Sequence, residues 1–519
     1  MNFLQRAFNY VIRKPTKSLL LAVTFFVIGN LVILGLGISQ AADNAKILTR
    51  KKMRAIVSYE VDYNKYWNYI ESLEDSDAQD AAYKNYPKID KETAINIAKD
   101  ERVRAFNYMT NNTVYGLDIE HNPLGNEDNR NGNTYTDENG NEVEYKEPSF
   151  MVYANLFPNM IELEEGTFEI KDGRWYNQED IDSAKRVVCI TEEVADLNSL
   201  RAGDTITISQ ISPAQKKDLI DAGLSEDDIN LELEIIGIYS TKEDVDPNSD
   251  NFKWMSPYES PKNRLMIPLT TYAEYAFEVS VAQRKAHPDW FSSGTDEEQI
   301  RSELETPSKV VYLLDDPLNV DAFVDENQSK CAEYTRLNAN NDAFKKMARP
   351  LDTMSFFASI VVWIVVLNAV VIISLVTALT LKTREFEIGV LLSIGVSKLK
   401  IVAQLFVELI VLAFLGFGFA SISGSLMAGR VGELVLDYQT TSDQKYESED
   451  EDSYVWTSST DYFTTVTQDQ LLSEYHVSVS PLLIVEIFLL GTGVVLIAIV
   501  IPSFMIMRLN PKQILLEQN

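Results

Sequence analysis

Cysteine, histidine and positive charge are all scarce in this 519-residue sequence, and each shortage excludes a class of protein. The two cysteines, Cys189 and Cys331, allow at most one disulfide bridge, so neither a disulfide-built scaffold nor a cysteine-ligated structural zinc site is expected. The 46 Lys and Arg residues face 77 Asp and Glu residues, which gives a net charge of -31. Nucleic-acid binding needs a basic face, so a nucleic-acid partner is not expected.

Catalytic motifs are missing as well. The three histidines, His121, His287 and His476, stand alone, outside any HExxH motif or Cys/His pairing, and there is no GxSxG sequence. The chain also lacks GxxxxGK[ST], the loop that cradles nucleotide phosphates. We therefore predict no catalytic residue, metal site or cofactor in this chain, and any ATP that it uses must be bound by another chain.

Long uncharged runs are the strongest positive feature, and they predict four membrane-spanning helices arranged as one plus three. The runs are residues 18–38, 353–381, 401–428 and 482–507, each long enough to cross about 30 Å of hydrocarbon as a helix. The first run could instead be a cleaved signal peptide ending near Ala41. Its length, and the apolar stripe that already begins at Phe3, favour an uncleaved anchor.

The distribution of Lys and Arg predicts the orientation of these spans. Basic residues gather before the first span, between the second and third spans and after the fourth, so these segments and both termini are expected in the cytoplasm. The predicted order is an amphipathic cytoplasmic helix (1–17), the first span (18–38), an extracytoplasmic domain with a stalk (39–352), the second span (353–381), a cytoplasmic helix loop (382–400), the third span (401–428), an acidic extracytoplasmic loop (429–481), the fourth span (482–507) and a cytoplasmic tail (508–519).

The large domain mixes helical and strand patterns, which predicts an α+β fold. A helix is expected from Ala94 to Met109, and short strands are expected at residues 187–191, 205–209, 233–239 and 310–314. The Asn139-Gly140 pair lies between two β-rich triplets, as in a hairpin. Residues 127–138 have EF-hand-like spacing but begin with Glu instead of Asp, so calcium is not predicted.

The approach to the second span has a heptad-like pattern that predicts a helix. Leu337, Phe344 and Leu351 recur every seven residues, which suggests either a stalk rising into the membrane or an ordinary amphipathic helix. Pro350 is expected to kink or interrupt this helix, because proline removes one backbone hydrogen bond.

Small and acidic residues inside the spans are candidates for packing and function. Four small residues recur at every fourth position in the third span: Gly416, Ala420, Gly424 and Ala428. They could let the backbone of another helix approach closely, either within the subunit or across a dimer. The alternative is that the spacing arises by chance in a span rich in glycine and alanine. Glu408 and Glu486 are costly in lipid and so are functional candidates, although each is near enough to a span end to reach the headgroups.

The segment between the second and third spans, Lys382 to Ser397, reads KTREFEIGVLLSIGVS. It resembles the signature of the FtsX/MacB-like (type VII) permease family of ABC transporters. The C-terminal stretch from Pro502 to Leu515 resembles the ending of the same family. Segments between Gly166 and Pro268 resemble, in order, the MacB-type periplasmic core domain.

The resemblance implies that the 382–397 segment forms a short helix that docks into an ATPase subunit. Its expected contributors are an apolar face, flanking charges, glycines and a serine that caps the next helix: Ile388, Leu391, Leu392, Arg384, Glu385, Glu387, Gly389, Gly395 and Ser397. Implied partners are that ATPase, which would bind ATP and Mg²⁺, and a second copy of the permease or a paralogue. An extracytoplasmic protein or peptide and membrane lipids complete the expected set.

Two functions stay open at this point. In the first, the resemblance implies mechanotransmission: ATP hydrolysis in the partner moves the extracytoplasmic domain and expels peptides or amphiphilic antimicrobial compounds. In the second, the chain is an FtsX-like regulator that activates a cell-wall hydrolase or a signalling partner. A bacterial plasma membrane, more readily Gram-positive, is the expected location.

Overall fold

The computed structural model describes residues 3–126, 134–136, 142–144, 147–249, 252–288, 297–339, 341–443, 462, 475–477 and 479–508. Chain contacts divide it into two compact units. The membrane unit comprises residues 1–52, 342–456 and 465–519, and the α+β unit comprises residues 53–341 and 457–464.

The membrane unit is built from helices. They are α1 (Phe3–Arg13), α2 (Pro15–Lys52), α13 (Asn341–Thr383), α14 (Glu385–Ser393), α15 (Lys398–Asp443), α16 (Pro481–Ala498) and α17 (Val500–Arg508). Within the described residues, four helical stretches are long and apolar enough to cross a membrane: Pro15–Lys52, Ala348–Thr383, Lys398–Gly424 and Pro481–Phe504. The prediction of one plus three spans is thereby confirmed at the level of length and composition.

Helices α2 and α15 form the best-packed pair of the membrane unit. The Phe25 and Phe417 rings meet edge to face with centroids 5.5 Å apart. Buried aliphatic side chains of both helices, such as Ile33 and Leu412, extend the same cluster. In lipid, where apolar side chains gain little by leaving the solvent, close packing of this kind supplies much of the association energy.

Two details around the spans differ from the sequence-based expectations. Leu337, which was expected in the helix before the second span, lies in a β-strand. Helix α13 is continuous through Pro350, so Pro350 does not interrupt it, and a kink there stays a prediction. The last span is divided at Ile499 into α16 and α17. Pro502 accounts for the division, because it has no N–H to donate to the carbonyl of Ala498 and its ring crowds that carbonyl.

The α+β unit contains the remaining elements. Its strands are β1 (Ile56–Val61), β2 (Val103–Gly116), β3 (Thr134–Thr136), β4 (Glu142–Glu144), β5 (Phe150–Asn155), β6 (Phe168–Gly173), β7 (Val187–Thr191), β8 (Thr205–Ser209), β9 (Leu231–Thr241), β10 (Arg264–Pro268), β11 (Lys309–Leu314) and β12 (Thr335–Asn338). Its helices are α3 (Tyr63–Glu71), α4 (Ser76–Lys84), α5 (Lys91–Ala98), α6 (Ile161–Glu164), α7 (Gln178–Asp182), α8 (Glu192–Asn198), α9 (Pro213–Asp221), α10 (Leu269–Ala286), α11 (Glu297–Glu305) and α12 (Val320–Asn327).

Most of these strands join one mixed sheet. Its order is β12-β1-β11-β2-β5-β10-β7-β9-β6, with β8 paired to both β2 and β9. The β5–β10 and β7–β9 pairs are parallel, and the other pairs are antiparallel. Buried side chains of the sheet, including those of β5 and β7, pack with α10 and α12 into the main core.

The predicted helix from Ala94 to Met109 is wrong. Helix α5 begins after Asp90, whose carboxylate accepts from the Thr93 N–H at 2.7 Å, and it ends at Ala98. The following residues form the long strand β2, paired with β11 on one side and β5 on the other. Strand pairing along both edges, together with β-favouring residues such as Val103 and Tyr108, overrides the helical spacing.

Other sequence-based expectations for this unit are confirmed. The four predicted strands correspond to β7, β8, β9 and β11, and β3 pairs with β4 so that Tyr135 is opposite Val143. Asn139, Gly140 and the EF-hand-like positions before β3 lie outside the described residues. Cys189 and Cys331 are both free thiols, so they do not form the one bridge that the sequence allowed.

Candidate functional site

The turn between the second and third spans contains a short helix with a defined end. Helix α14 starts after Arg384, whose carbonyl accepts from the Ile388 N–H at 3.0 Å. Gly395 follows the helix with φ +91°, a left-handed conformation that favours glycine. The Gly395 N–H donates to the Leu392 carbonyl and the Val396 N–H donates to that of Leu391, both at 3.1 Å. This is a Schellman ending, and it returns the chain toward α15.

The apolar face that was expected to dock into a partner is used inside the unit. Ile388 is only 4% exposed, and Leu391 and Leu392 pack against the buried cluster of the spans. The apolar side chains that remain outside are Phe386 and Ile394, the latter 74% exposed. Ile388, Leu391 and Leu392 therefore pack against the chain's own spans, whereas Phe386 and Ile394 are exposed.

Arg384 connects α14 to the third span through an ion pair. Its Nη1 lies 2.9 Å from Glu408 Oε2, and the side chains are 11% and 7% exposed. The other carboxylate oxygen of Glu408 accepts from Gln404 Nε2 at 2.9 Å. Glu387 also lies 3.4 Å from Arg384 Nε, but its side chain is 60% exposed. The buried partner of Arg384 is thus Glu408, 24 residues along the chain.

Two further contacts bring the N-terminal segment to the same place. The Arg384 guanidinium lies over the Tyr10 ring, 3.7 Å from its centroid, a cation–π arrangement. Lys17 Nζ donates to Thr383 Oγ1 at 2.9 Å, one residue before Arg384. The start of the chain, the end of the second span, α14 and the third span therefore converge on a single arginine. We call Tyr10, Arg384, Gln404 and Glu408 the Arg384 cluster.

Both glutamates of the spans, Glu408 and Glu486, have polar partners within the chain. Glu408 is buried and paired with Arg384, and the expectation that it reaches toward the headgroups stays a prediction. Glu486 is half-buried and accepts from Gln40 Nε2 at 3.1 Å, which links the fourth span to the first. An acid inside an apolar span is stabilised by such partners, because an isolated carboxylate is expensive there.

The row of small residues in the third span lies against the first span of the same chain. A Cβ added at Gly416 would meet Phe25 Cβ at 2.5 Å, and one added at Gly424 would meet Ile33 Cγ2 at 2.7 Å. The Ala420 methyl is 2.7 Å from the position of a Cβ added at Gly29. These contacts place the partner backbone within the subunit. The side chain of Ala428 lies outside the described part of the chain.

The turn contains three further predicted residues, Glu385, Gly389 and Ser397. Glu385 is half-buried in the first turn of α14, where acidic side chains interact favourably with the helix dipole, and Gly389 is buried beside Ile388. Ser397 precedes α15, and its carbonyl accepts from the Lys400 N–H at 3.0 Å. Sequence reasoning missed Tyr10 and Gln404. The sequence signal that could have located this cluster is the pair of opposite charges, Arg384 and Glu408, on either side of the predicted turn.

Comparison with known proteins finds two matching families. The family described as "FtsX-like permease C-terminal" matches residues 359–511, and the one described as "MacB-like periplasmic core domain" matches residues 122–326. The chain belongs to the FtsX/MacB-like family of ABC transporter permeases. The matches include the Arg384 cluster's α14 and α15 residues and most of the α+β unit.

One curated relative of this permease spans most of both chains. It is an uncharacterized ABC transporter permease, YclI, from Bacillus subtilis (strain 168), which is 26% identical over 445 residues and aligns with 82% of this chain and 80% of its own. Two solved structures are also similar. The periplasmic region of MacB from Actinobacillus actinomycetemcomitans covers 56% of this chain and 90% of its own, and the extracellular domain of the transporter YknZ from Gram-positive bacteria covers 55% and 98%. Each has 9% identity and a TM-score of 0.27.

Proposed function

We propose that this permease couples ATP hydrolysis in a separate ATPase subunit to movement of the α+β unit, and that the movement expels peptides or amphiphilic antimicrobial compounds. The sequence has no phosphate-cradling loop, so nucleotide and Mg²⁺ would be bound by the ATPase. A second permease copy or a paralogue would complete the assembly. Both termini and α14 would lie in the cytoplasm and the α+β unit outside, in keeping with the distribution of Lys and Arg.

The observation that carries this proposal is the two-sided character of α14. One side is fixed to the spans by Ile388 and by the Arg384–Glu408 pair. The other side presents Phe386 and Glu387, an apolar and an acidic group exposed side by side. A helix held in this way transmits a movement of a bound partner to the third span, because the buried ion pair resists separation.

The test is reconstitution of the permease with the ATPase that co-purifies with it from its own host. The Phe386→Ala variant, and separately the Glu385→Lys/Glu387→Lys variant, should reach the membrane but recover less ATPase or lose stimulated hydrolysis. Rim charges set recognition, and a buried aromatic anchor contributes much of a typical interface. Leu399→Ala, which changes an exposed apolar residue outside α14, is the matched control.

Two results would contradict the proposal. One is full ATPase recovery and activity in both variants, which would place the docking element elsewhere. The other is ATP hydrolysis by the purified permease alone. Loss of coupling accompanied by loss of cell-wall hydrolase activation, with peptide efflux unchanged, would favour the regulatory role instead.

Orientation is tested separately by cysteine labelling in a Cys189→Ser/Cys331→Ser background. A thiol introduced at Asn129 or Ser448 should react with an impermeant maleimide in intact cells, whereas one at Ser397 should react only after permeabilisation. The reverse pattern would refute the proposed topology.

A further inference from the structure

The α+β unit contains a cavity of about 410 Å³ with an unusual concentration of charged groups. Two arginines and three glutamates line it, and Arg264, over the Tyr153 ring, is almost fully buried while paired with Glu243. One wall is formed by Tyr462, which belongs by sequence to the acidic loop between the third and fourth spans.

Tyr462 is held in this wall like a core residue. Its side chain is 9% exposed and packs with aliphatic residues of β1, α6 and β11, among them Ile56, Ile161 and Val311. Its hydroxyl donates to Glu162 Oε1 at 2.7 Å and accepts from Asn107 Nδ2 at 2.9 Å. The α+β unit therefore contacts the Tyr462 ring and bonds its hydroxyl both as a donor and as an acceptor.

Arg54 adds a second kind of contact, to the backbone. Its Nη1 donates to the Tyr462 carbonyl at 2.8 Å, and its guanidinium lies over the Tyr462 ring, 5.7 Å from the centroid. Glu165 pairs with Arg54 and so fixes the direction of the guanidinium. The α+β unit therefore contacts both the side chain and the backbone of Tyr462.

The chemistry of the site requires a hydroxyl donor. Glu162 is buried, and burial raises its pKa above the usual range of a glutamate. Burial also raises the pKa of Tyr462 well above that of a free phenol, so its hydroxyl keeps its proton at neutral pH. Asn107 is oriented by the Ile161 N–H, which donates to its Oδ1 at 3.1 Å. Removing the phenol would leave a buried carboxylate without one of its donors, which is costly.

From these contacts we infer that Arg54, Asn107 and Glu162 form a receptor site for a tyrosine side chain, and that its resident occupant is Tyr462 of the loop between the third and fourth spans. The contacts define the partner as a tyrosine, because phenylalanine lacks the hydroxyl that donates to Glu162 and accepts from Asn107. Docking holds Tyr462 of this loop in the α+β unit. A segment that connects two spans is thereby attached to the domain that follows the first span.

The experiment uses the full-length chain in detergent. The Tyr462→Ala variant empties the site, and a fluorescent peptide with the sequence of residues 455–469 serves as the probe. The peptide should bind to this variant and bind at least tenfold more weakly to the unmodified chain, in which Tyr462 fills the site. A peptide carrying Tyr462→Phe should bind the emptied chain at least tenfold more weakly, since a buried hydrogen bond to a carboxylate is lost.

A second receptor variant and a folding control make the outcome decisive. Glu162→Gln in the Tyr462→Ala background should also weaken the peptide, and the buried Cys189 thiol should stay unreactive in every variant that is folded. Equal binding to the emptied and unmodified chains, equal binding of the Tyr and Phe peptides, or no binding to an emptied chain that keeps Cys189 protected would each overturn the inference. If the Tyr462→Ala variant exposes Cys189, the Tyr462→Phe variant of the chain is used in its place. The unmodified peptide should then still bind this chain more tightly than the Tyr462→Phe peptide does.

Discussion

Glu408→Gln should destabilise the membrane unit strongly, although it removes only a charge. The Arg384 guanidinium, 11% exposed, would lose the carboxylate that lies 2.9 Å from its Nη1. Removing one partner of a buried ion pair costs about 3–5 kcal/mol, since the remaining charge stays buried. For a unit of this size we expect the apparent melting temperature to fall by about 6–20 °C.

Glu387→Gln is the matched control, because it removes the other carboxylate next to the same arginine. Glu387 is 60% exposed and lies 3.4 Å from Arg384 Nε, and an exposed pair of this kind contributes about 0–1 kcal/mol. The two variants therefore differ in burial and not in chemistry. The measurement is the temperature at which half of the detergent-solubilised chain disappears from its monodisperse size-exclusion peak.

A double variant separates the ion pair from other effects of position 408. Arg384→Gln together with Glu408→Gln removes both charges, so no charge is left buried alone. The double variant should be more stable than Glu408→Gln, and the coupling energy follows from the melting curves of the unmodified chain, Arg384→Gln, Glu408→Gln and the double variant. Equal stability of the Glu408→Gln and Glu387→Gln variants, or no gain in the double variant, would refute the account of the Arg384 cluster.

Three further predictions concern other parts of the chain. Gly416→Val should lower the melting temperature, because a Cβ there would be 2.5 Å from Phe25 Cβ, and overpacking costs about 1–3 kcal/mol; an unchanged melting curve would show that α2 and α15 are not in contact. Burial raises the pKa of Cys189 to about 12 and that of Cys331 to about 11, so at pH 7.5 maleimide should label Cys331 slowly in the folded chain and Cys189 only after unfolding; rapid labelling of either thiol in the folded chain would contradict this. Because the pKa of Glu162 is raised, Glu162 keeps its proton to a higher pH in the folded state than in the unfolded state. The free energy of unfolding should therefore decline as pH rises above about 4.5. Glu162→Gln should reduce that decline in melting curves recorded from about pH 4 to 8.

The sign of the last prediction depends on the groups that face Glu162. Tyr462 and Asn107 donate to it, and Glu243 adds negative charge that raises its pKa further. Burial is the largest cause, and it favours the neutral acid. An unfolding free energy that rose with pH over this range, after comparison with Glu162→Gln, would show that the carboxylate is stabilised in its charged form.

Several features of this permease were determined by the sequence alone. Each of the four apolar runs is a property of its own 20 to 30 residues, so the spans could be read without knowing their neighbours. The same is true of the end of α14, where Gly395 supplies the left-handed conformation, and of strands β7 and β8. In all these cases the deciding interactions are within a few residues along the chain.

The tertiary structure decided which distant residues meet. The sequence contained Arg384 and Glu408 but not their pairing, and it gave Ile388 an apolar character without saying whether a partner or the chain's own spans would cover it. It suggested a helix where pairing with β11 imposes a strand on Val103 to Tyr108. Tyr462 shows the same limit, since nothing in an acidic loop predicts a buried hydrogen bond to Glu162, 300 residues away. Local patterns record the backbone's preferences, whereas burial and charge pairing depend on contacts that exist only after the chain has folded.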